Sequence, residues 1–360
     1  MKEAERPQLA DEGGVADRIR GAKRRRQARA AGAFALFACI AAVAYCLMLG
    51  LGAVKLSPLE VIDVLTGGGS SRAIRVVWDL RLPVAVATVL IGAALGMAGS
   101  WTQTMARNPL ASPDVLGVAG GAAVAVVAGT VVARPAFSEG FDLFWWRAGL
   151  ALVGAAVVVL LLLLLGGFGT TNRVVLVGFA LSLMCSAVVQ YLIMRADLVR
   201  AADAQTWLAG STGLVRAEAL PPLVLGLLPF LAAGLWCGKD LAMLAHDDAT
   251  ASSLGVRVRR VRAVLLVAAT GVVAVVVSVV GPIGFVALIA PQLGRLVAGQ
   301  PTPTPWVSAA AGAALLTSCS VIAGLLPVNS PVGLVTSALG GVVLVVLVWR
   351  AARAEGKDMR

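Results

Sequence analysis

The sequence predicts an all-α, polytopic membrane protein with about ten transmembrane helices. Hydrophobic residues make up 59% of the 360 residues and charged residues only 14%, and the mean hydropathy is +0.90. A water-soluble domain needs far fewer apolar residues than this to form its core. A bilayer instead demands helical runs of about 20 apolar residues, because every backbone amide must find its partner inside the segment.

Ten apolar segments along the chain meet this requirement, and all of them lack Asp, Glu, His and Lys. The eighth directly follows Gly281-Pro282 and contains Arg295, so we expect a short or broken helix there. The segments run approximately from Ala31 to Ala53, Leu82 to Gln103, Val115 to Ala133, Ala148 to Gly169, Val174 to Met194, Leu220 to Cys237, Ala263 to Val280, Ile283 to Ala298, Trp306 to Leu326 and Val332 to Trp349.

The distribution of basic residues predicts the orientation in the membrane. If the N-terminus lies in the cytoplasm, 21 of the 30 Lys and Arg residues fall on the cytoplasmic side. Basic residues are retained on that side during insertion. An even number of spans then places the C-terminus in the cytoplasm as well. The ten helices would form two five-helix halves of inverted topology.

Residues 1–30 and 351–360 are predicted to be cytoplasmic tails around a transmembrane domain of residues 31–350. The first 30 residues are polar and aperiodic, so we expect them to be largely disordered. Their basic run, Lys23 to Arg26, taken alone is compatible with nucleic-acid binding. Its position just before the first span favours a topology signal that attracts anionic lipid instead. We therefore expect this segment to contact membrane lipid and not nucleic acid.

The residues that usually build metal or catalytic sites are few and scattered. His246 is the only histidine, and the five cysteines fall in or beside apolar spans without a CxxC spacing. A single imidazole without Cys or paired carboxylate ligands does not make a convincing metal site. We therefore predict no metal site, no catalytic residues and no cofactor.

The spans also lack the residues that couple transport to an ion gradient. Carriers of that kind normally place carboxylates or histidines inside the membrane. The chain has no GxxxxGK[ST] phosphate loop either, because Gly238-Lys239 is followed by Asp240 and has no glycine-rich approach. A transporter built this way needs a separate ATPase subunit.

The polar loop of about residues 238–262, between the sixth and seventh spans, is a candidate docking element for such a subunit. Within it the sequence predicts a short helix from Asp247 to Leu254, ended by Gly255. An ordinary solvated linker is the alternative interpretation of this loop.

Several sequence blocks form an ordered series along the chain. They are Arg81 to Pro83, Ile91 to Gly96 with Gly99 and Gln103, Arg107 to Gly117, Trp207 to Ser211, Ala249 to Val256, Gly281 to Pro291 and Pro331 to Thr336. In order and spacing these blocks resemble those of the FecCD family of permeases from bacterial iron-siderophore, haem and cobalamin ABC importers. The resemblance extends from about Val54 to Arg350 and includes long motifs rather than a single short pattern.

The resemblance implies a permease subunit in the bacterial cytoplasmic membrane that carries a bulky chelate. It also implies cytoplasmic ATPase subunits, a second permease copy or homologue, and an extracytoplasmic solute-binding protein. The loop after the sixth helix then contacts the ATPase, and Arg81 contacts the binding protein. The implied ATPase-coupling residues are Asp247, Asp248, Ala249, Ala251, Leu254, Gly255 and Val256.

Two proline-containing turns are further candidate sites. In the first, the prolines prevent a helix, and Asp114 is expected to cap the third span. In the second, glycines are expected to let the seventh and eighth helices pivot. Both turns are interpreted either as rigid structural turns or as gating elements. The residues concerned are Arg107, Asn108, Pro109 and Asp114 in the first, and Gly281, Pro282 and Gly284 in the second.

The sequence departs from the family pattern at four positions. Val84 and Ile322 occupy positions at which family members frequently have arginine. Gln292 replaces a frequent histidine, and Ser318 replaces a common aspartate. Binding-protein docking is therefore either different here or shared with an unlike second permease. An ion-coupled secondary transporter or exporter, and a membrane scaffold without transport activity, remain alternative functions. The identity of the chelate stays open.

Overall fold

The computed structural model describes residues 12–52, 54–132, 140–166, 171–326 and 330–358. In this part of the chain the regular structure is helical, without strands. The α-helices are α1 (Glu12–Gly50), α2 (Pro58–Leu65), α3 (Ser71–Ile74), α4 (Leu82–Ala106), α5 (Val118–Val127), α6 (Leu143–Leu161), α7 (Thr171–Met194), α8 (Leu198–Leu208), α9 (Leu220–Trp236), α10 (Gly238–Leu244), α11 (Asp248–Ser253), α12 (Val258–Val280), α13 (Val286–Ala298), α14 (Pro305–Leu325) and α15 (Val332–Asp358).

Ten of these helices correspond to the ten predicted spans. Seven helical stretches of the described residues are long and apolar enough to cross a membrane. Three shorter apolar helices, Val118–Thr130, Val286–Ala298 and Val332–Val346, occupy the third, eighth and tenth predicted spans. Helix α13 has only 13 residues, which agrees with the expectation of a short eighth helix. The chain is therefore an all-α, multi-pass membrane protein.

The main difference from the sequence analysis lies at the N-terminus, where α1 begins at Glu12. Much of the tail that was expected to be disordered is therefore helical, while residues 1–11 lie outside the described part. The physical reason is composition, because the segment from Gly21 to Ala31 is rich in Ala, Arg, Lys and Gln, which favour helix. At the other end, α15 continues to Asp358 through most of the predicted C-terminal tail.

Helix α4 lies at the centre of the bundle and packs closely against α13 and α14. A Cβ atom added at Gly96 would lie 2.1 Å from the Ser308 carbonyl oxygen, and one at Gly99 would lie 1.8 Å from that of Ala287. Only glycine permits backbones to approach so closely. These glycines of α4 therefore serve packing against α13 and α14.

The outside of the bundle carries large exposed apolar side chains, as a lipid-facing or partner-facing surface does. Leu176 on α7 and Trp236 at the end of α9 are 69% and 89% exposed. We call the end of the bundle that carries α10, α11 and the turn after α4 the inner face. The end that carries α8 and the turn after α12 is the outer face. Both names follow the orientation predicted from the sequence.

Candidate functional site

The loop between α9 and α12 contains the predicted short helix at the inner face. Asp247 is the N-cap residue of α11. Its two carboxylate oxygens accept hydrogen bonds from the Thr250 backbone N–H at 2.7 Å and from the Thr250 hydroxyl at 2.6 Å. Both bonds lower the pKa of Asp247 below its ordinary value, and the bond from the hydroxyl has the larger effect. The loop is thus a capped helix rather than an irregular linker.

The end of α11 is a Schellman motif centred on Gly255. The Val256 N–H donates to the Ala251 carbonyl and the Gly255 N–H to the Ser252 carbonyl, both at 3.0 Å. Gly255 has a φ of +86°, the left-handed conformation of a glycine that ends a helix, and it ends the helix where the sequence predicted. Ala251 and Val256 are buried against the bundle, while Leu254 is 62% exposed. The end of α11 therefore presents one large apolar side chain, that of its C-cap residue Leu254, away from the protein.

Asp248, the first residue of α11, connects three elements of the inner face. Its carboxylate accepts two hydrogen bonds from the Arg262 guanidinium on α12, at 2.8 and 2.9 Å. It also accepts one from Arg107 at the end of α4. These bonds lower the pKa of Asp248 despite partial desolvation, and the bond from Arg107 has the largest effect, followed by those from Arg262. We refer to Asp248, Arg107 and Arg262 as the inner clamp.

Arg107 also ties the turn after α4 to the loop before α11. Its Nε donates to the Leu244 carbonyl at 2.9 Å, and its backbone is left-handed, with a φ of +49°. The Asn108 side chain accepts a hydrogen bond from the Leu110 N–H at 2.9 Å, an Asx turn that leads the chain past the exposed Pro109. The structure thus places the first proline-containing turn directly against the predicted coupling loop.

The expectation that Asp114 caps the third span is wrong. Asp114 lies inside a 3₁₀ turn, Pro113–Leu116, whose N-cap is Ser112. Its carboxylate accepts a hydrogen bond from the Ser112 hydroxyl at 3.1 Å, and burial raises its pKa to about 6. Gly117, with a φ of +82°, precedes α5. The extra 3₁₀ turn displaces the carboxylate from the helix end by about one turn.

The second proline-containing turn joins α12 to α13 at the outer face and interlocks with neighbouring backbone. Gly281 has φ +74° and ψ −179°, a combination essentially restricted to glycine. A Cβ atom there would lie 2.4 Å from the Trp207 carbonyl oxygen, whereas one at Gly284 would meet no atom within 4 Å. One at Gly210 would lie 2.0 Å from the carbonyl oxygen of Pro282. The turn is therefore packed tightly against neighbouring backbone at Gly281, whereas Gly284 has free space beside it.

Arg81, the predicted docking residue, has structural partners at the outer face. Its Nη1 donates to the carbonyls of Leu49 at 2.6 Å and Gly50 at 3.2 Å. Its Nη2 donates to the Val54 carbonyl. The guanidinium thereby satisfies carbonyl groups at the end of α1 that have no partner within the helix. Contact with a binding protein stays a prediction for this residue.

Two polar contacts were not identified from the sequence. Arg262 pairs with Asp248, and the sequence held a signal, because Arg262 directly precedes the seventh predicted span. A buried amide pair joins α13 to α4, with the Gln292 Nε2 donating to the Gln103 Oε1 at 2.5 Å. The Gln103 Nε2 donates in turn to the Leu288 carbonyl at 2.8 Å. Among the described residues no cluster of His, Cys, Asp or Glu is suited to a metal ion.

A bundle of apolar spanning helices with a charged, ordered loop at one face defines a polytopic membrane protein. The FecCD transport family matches residues 40–350. The chain belongs to this family, and its role is transport as a permease subunit of an ABC importer.

Two relatives illustrate the similarity. One is 35% identical over 89% of this chain and 98% of its own length, the ferric enterobactin transport system permease protein FepG of Escherichia coli. Another is 30% identical over 84% of this chain and 92% of its own length, the hemin transport system permease protein HmuU of Yersinia pestis.

A further relative and a solved structure extend the comparison. The vitamin B12 import system permease protein BtuC of Serratia proteamaculans is 35% identical over 76% of this chain and 82% of its own length. The solved structure of a metal-chelate type ABC transporter in an inward-facing conformation has a TM-score of 0.76. It is 24% identical and covers 88% of this chain and 98% of that chain. At this identity the structure supports the fold alone.

Proposed function

We propose that this chain carries a ferric siderophore, or a related bulky chelate such as haem or cobalamin, into the cytoplasm. The relatives named above transport ferric enterobactin, hemin and vitamin B12, which are all large metal chelates. The proposal includes no catalytic residue and no nucleotide site on this chain. ATP is hydrolysed by separate cytoplasmic ATPase subunits.

The observation that carries the ATPase proposal is the inner clamp. A helix at the inner face can transmit a push from an ATPase only if it is attached to the transmembrane helices. Asp248 attaches α11 to both α4 and α12, which are among the most buried helices of the bundle. Movement of α11 would thus act directly on the packed centre of the permease rather than on a loose loop.

The residues of α11 divide into two groups in this proposal. Ala251 and Val256 hold α11 against the bundle, and Asp247 and Gly255 fix its two ends. Ala249 and Leu254 are exposed, so they form the surface that contacts the ATPase. Covering the exposed Leu254 side chain with a partner surface would remove apolar area from water, which favours binding.

Three further partners complete the proposed assembly. A second permease copy or homologue packs against this chain, a solute-binding protein delivers the chelate to the outer face, and lipid surrounds the apolar exterior. Both termini lie in the cytoplasm in this arrangement. The basic residues of α1 from Arg18 to Arg29 are exposed where side chains are described, so they are free to contact anionic lipid at the inner face.

The two proline-containing turns have different roles in this proposal. The turn containing Arg107, Asn108 and Pro109 moves with α11, because the Arg107 side chain belongs to the inner clamp. The turn containing Gly281 and Pro282 acts as a fixed point at the outer face.

Reconstitution tests the proposed function. The permease, its ATPase and its binding protein are placed in liposomes, and uptake of radiolabelled ferric enterobactin, hemin and cobalamin is measured with and without ATP. We expect ATP-dependent uptake of at least one of these chelates. Accumulation by the permease alone, driven by a proton or sodium gradient, would instead establish the ion-coupled alternative.

A further inference from the structure

A cleft of about 870 Å³ opens at the outer face within this single chain. Its walls are the ends of helices α1, α4, α6, α8, α12, α14 and α15, together with the loop that follows α8. We call it the outer cleft. Its volume lies in the range of sites that hold drug-sized or larger ligands. Its lining includes the aromatic side chains of Phe144 and Trp207 as well as five charged residues.

The charged group that stands out in the outer cleft is Arg147, near the start of α6. Its Nε atom is buried and has no hydrogen-bond partner among the residues that the structure describes, and the same is true of the Oγ1 atom of Thr212. Thr212 itself is 0% exposed. No carboxylate among the described residues lies within 4.0 Å of the Arg147 guanidinium. A partly buried cation and a buried hydroxyl without acceptors are unfavourable unless another molecule supplies them.

The other charged residues of the outer cleft leave it with a net positive charge. Arg81 donates to uncharged carbonyl groups, so its positive charge is not neutralised. Arg216 and Asp142 approach only to 4.0 Å at the rim, where exposed pairs contribute little. Asp142 is also engaged as the N-cap of α6, accepting the Phe144 N–H at 2.8 Å. Asp203, which is exposed, attracts Arg147 electrostatically from beyond ion-pair distance. The three arginines of the cleft therefore exceed its two carboxylates by one positive charge.

We propose that the outer cleft is a binding site for an anionic metal chelate, with Arg147 and Thr212 as its inner contacts and Arg216 at its rim. The class comprises ferric complexes with catecholate or carboxylate ligands, which carry net negative charge, and haem, which carries two propionates. Ferric hydroxamates and cobalamin lack this charge and do not fit the site's electrostatics. This inference rests on the proposed function and narrows its substrate class.

The cleft's size and lining favour a chelate over a single protein side chain. A lone carboxylate would occupy a small part of the volume and would leave the aromatic walls uncovered. Catechol rings or a porphyrin can pack on Phe144 and Trp207 while their anionic groups reach the guanidinium groups. Such mixed apolar and polar lining is typical of small-molecule sites.

The first test measures binding to the full permease chain in nanodiscs, without ATPase or binding protein. The probes are ⁵⁵Fe-labelled ferric enterobactin and ferric dicitrate, which are anionic, and a neutral ferric hydroxamate. We expect Arg147→Gln to weaken binding of the anionic probes by about tenfold, the scale of one charged contact. Thr212→Val and Arg216→Gln should weaken it less. Arg147→Lys, which keeps the charge, should retain most of the affinity.

The matched control is Arg75→Gln, which removes an exposed arginine of the outer face that does not line the cleft. Its binding should equal that of the unchanged protein. Unchanged binding of the anionic probes to Arg147→Gln, or equal binding of the neutral probe to the unchanged protein, would overturn the inference. If Arg147→Gln is not recovered in folded form, Arg216→Gln and Thr212→Val decide the question by the same measurement.

A second test separates chelate binding from docking of the solute-binding protein. ATP-driven uptake in liposomes is compared for the anionic and the neutral probes, and the affinity of the binding protein for the permease is measured in parallel. We expect Arg147→Gln to lower uptake of the anionic probes selectively. A loss confined to binding-protein affinity would identify a docking site and contradict the inference. Absence of ATP-driven uptake by the unchanged protein would contradict the proposed function instead.

Discussion

The helices are held together by different kinds of contact at the inner face and at the outer face of the bundle. At the inner face, α11 is attached to α4 and α12 through the half-exposed carboxylate of Asp248. At the outer face, the turn after α12 is fixed by backbone that approaches backbone, where Gly281 lies against the Trp207 carbonyl. The Ser211 N–H also donates to the Val280 carbonyl at 2.8 Å, and the Gly333 N–H to that of Gly210 at 3.0 Å.

This difference indicates which face can move. Ion pairs in contact with water are modest in strength and can be broken and formed again as a loop shifts. Backbone contacts that require glycine leave no room for small displacements, because close-packed interiors are not continuously deformable. We therefore expect the inner face to change conformation with the ATPase while the backbone around Gly281 moves as a rigid unit.

The largest effect is expected from Gly281→Ala. The new methyl group would face both a disallowed backbone conformation and the Trp207 carbonyl, at a cost of about 3 kcal/mol or more. We expect a large fall in the yield of monodisperse protein and in its unfolding temperature in detergent.

Gly284→Ala is the matched control for this change, because a Cβ atom there meets no neighbour within 4 Å. It should leave yield and unfolding temperature nearly unchanged. If the two variants behave alike, the outer turn is not the rigid element that the comparison requires.

Asp248→Asn is expected to uncouple transport while the protein still folds. The amide keeps the shape of the carboxylate but loses its charge, so the attachment of α11 to Arg107 and Arg262 is weakened. Because Asp248 is half-exposed, we expect only a small change in unfolding temperature. ATP-driven uptake should fall by about tenfold, a typical magnitude for coupling between distant sites.

A double-mutant cycle of Asp248→Asn with Arg262→Gln checks this interpretation. The two changes should be non-additive in uptake, with a coupling energy of roughly 1 kcal/mol. Arg257→Gln, an exposed arginine outside the inner clamp, provides the control. Strict additivity of Asp248→Asn and Arg262→Gln would show that the pair does not act as one connection.

The sequence was sufficient to predict the features that depend on neighbouring residues. Apolar runs determine where helices cross a bilayer, and all ten predicted spans have a helical counterpart. The short helix before Gly255, and the positive φ of that glycine, follow likewise from a local capping pattern. These features require no knowledge of which distant residues meet.

The inner clamp could not be predicted in the same way, because Arg107 and Asp248 are 141 residues apart. The sequence placed both residues in candidate sites but gave no reason to pair them. The backbone partners of Arg81 could not be predicted either, because no side-chain pattern reveals which carbonyl groups an arginine will reach. The misplaced Asp114 cap has a local cause, because the 3₁₀ turn between Ser112 and Gly117 delays the start of α5.

Gly255→Val probes the attachment of α11 at its other end. A β-branched residue at a φ of +86° costs about 1 to 3 kcal/mol locally. It should therefore disrupt the Schellman motif that positions Val256. We expect ATP-driven uptake to fall several-fold while binding of the ATPase to the permease persists.

Gly255→Asn is the control for that change, because asparagine tolerates the left-handed conformation better than other residues with side chains. Uptake by this variant should lie near that of the unchanged protein. Full uptake by Gly255→Val would mean that the conformation of the α11 end does not matter for coupling.

The smallest effect is expected from Asp247→Ala, which removes the N-cap of α11 but leaves the inner clamp intact. The Thr250 N–H loses its acceptor, so the first turn of α11 should fray. Hydrogen exchange of the Thr250 amide should become faster, while uptake falls only slightly. Asp247→Ser, which retains a capping oxygen, should restore slow exchange. Because Asp248 makes the charged attachment of α11 to α4 and α12, an uptake loss as large as that of Asp248→Asn would refute the primacy of the clamp. It would indicate that the helical shape of α11, rather than its charged attachment, transmits the movement.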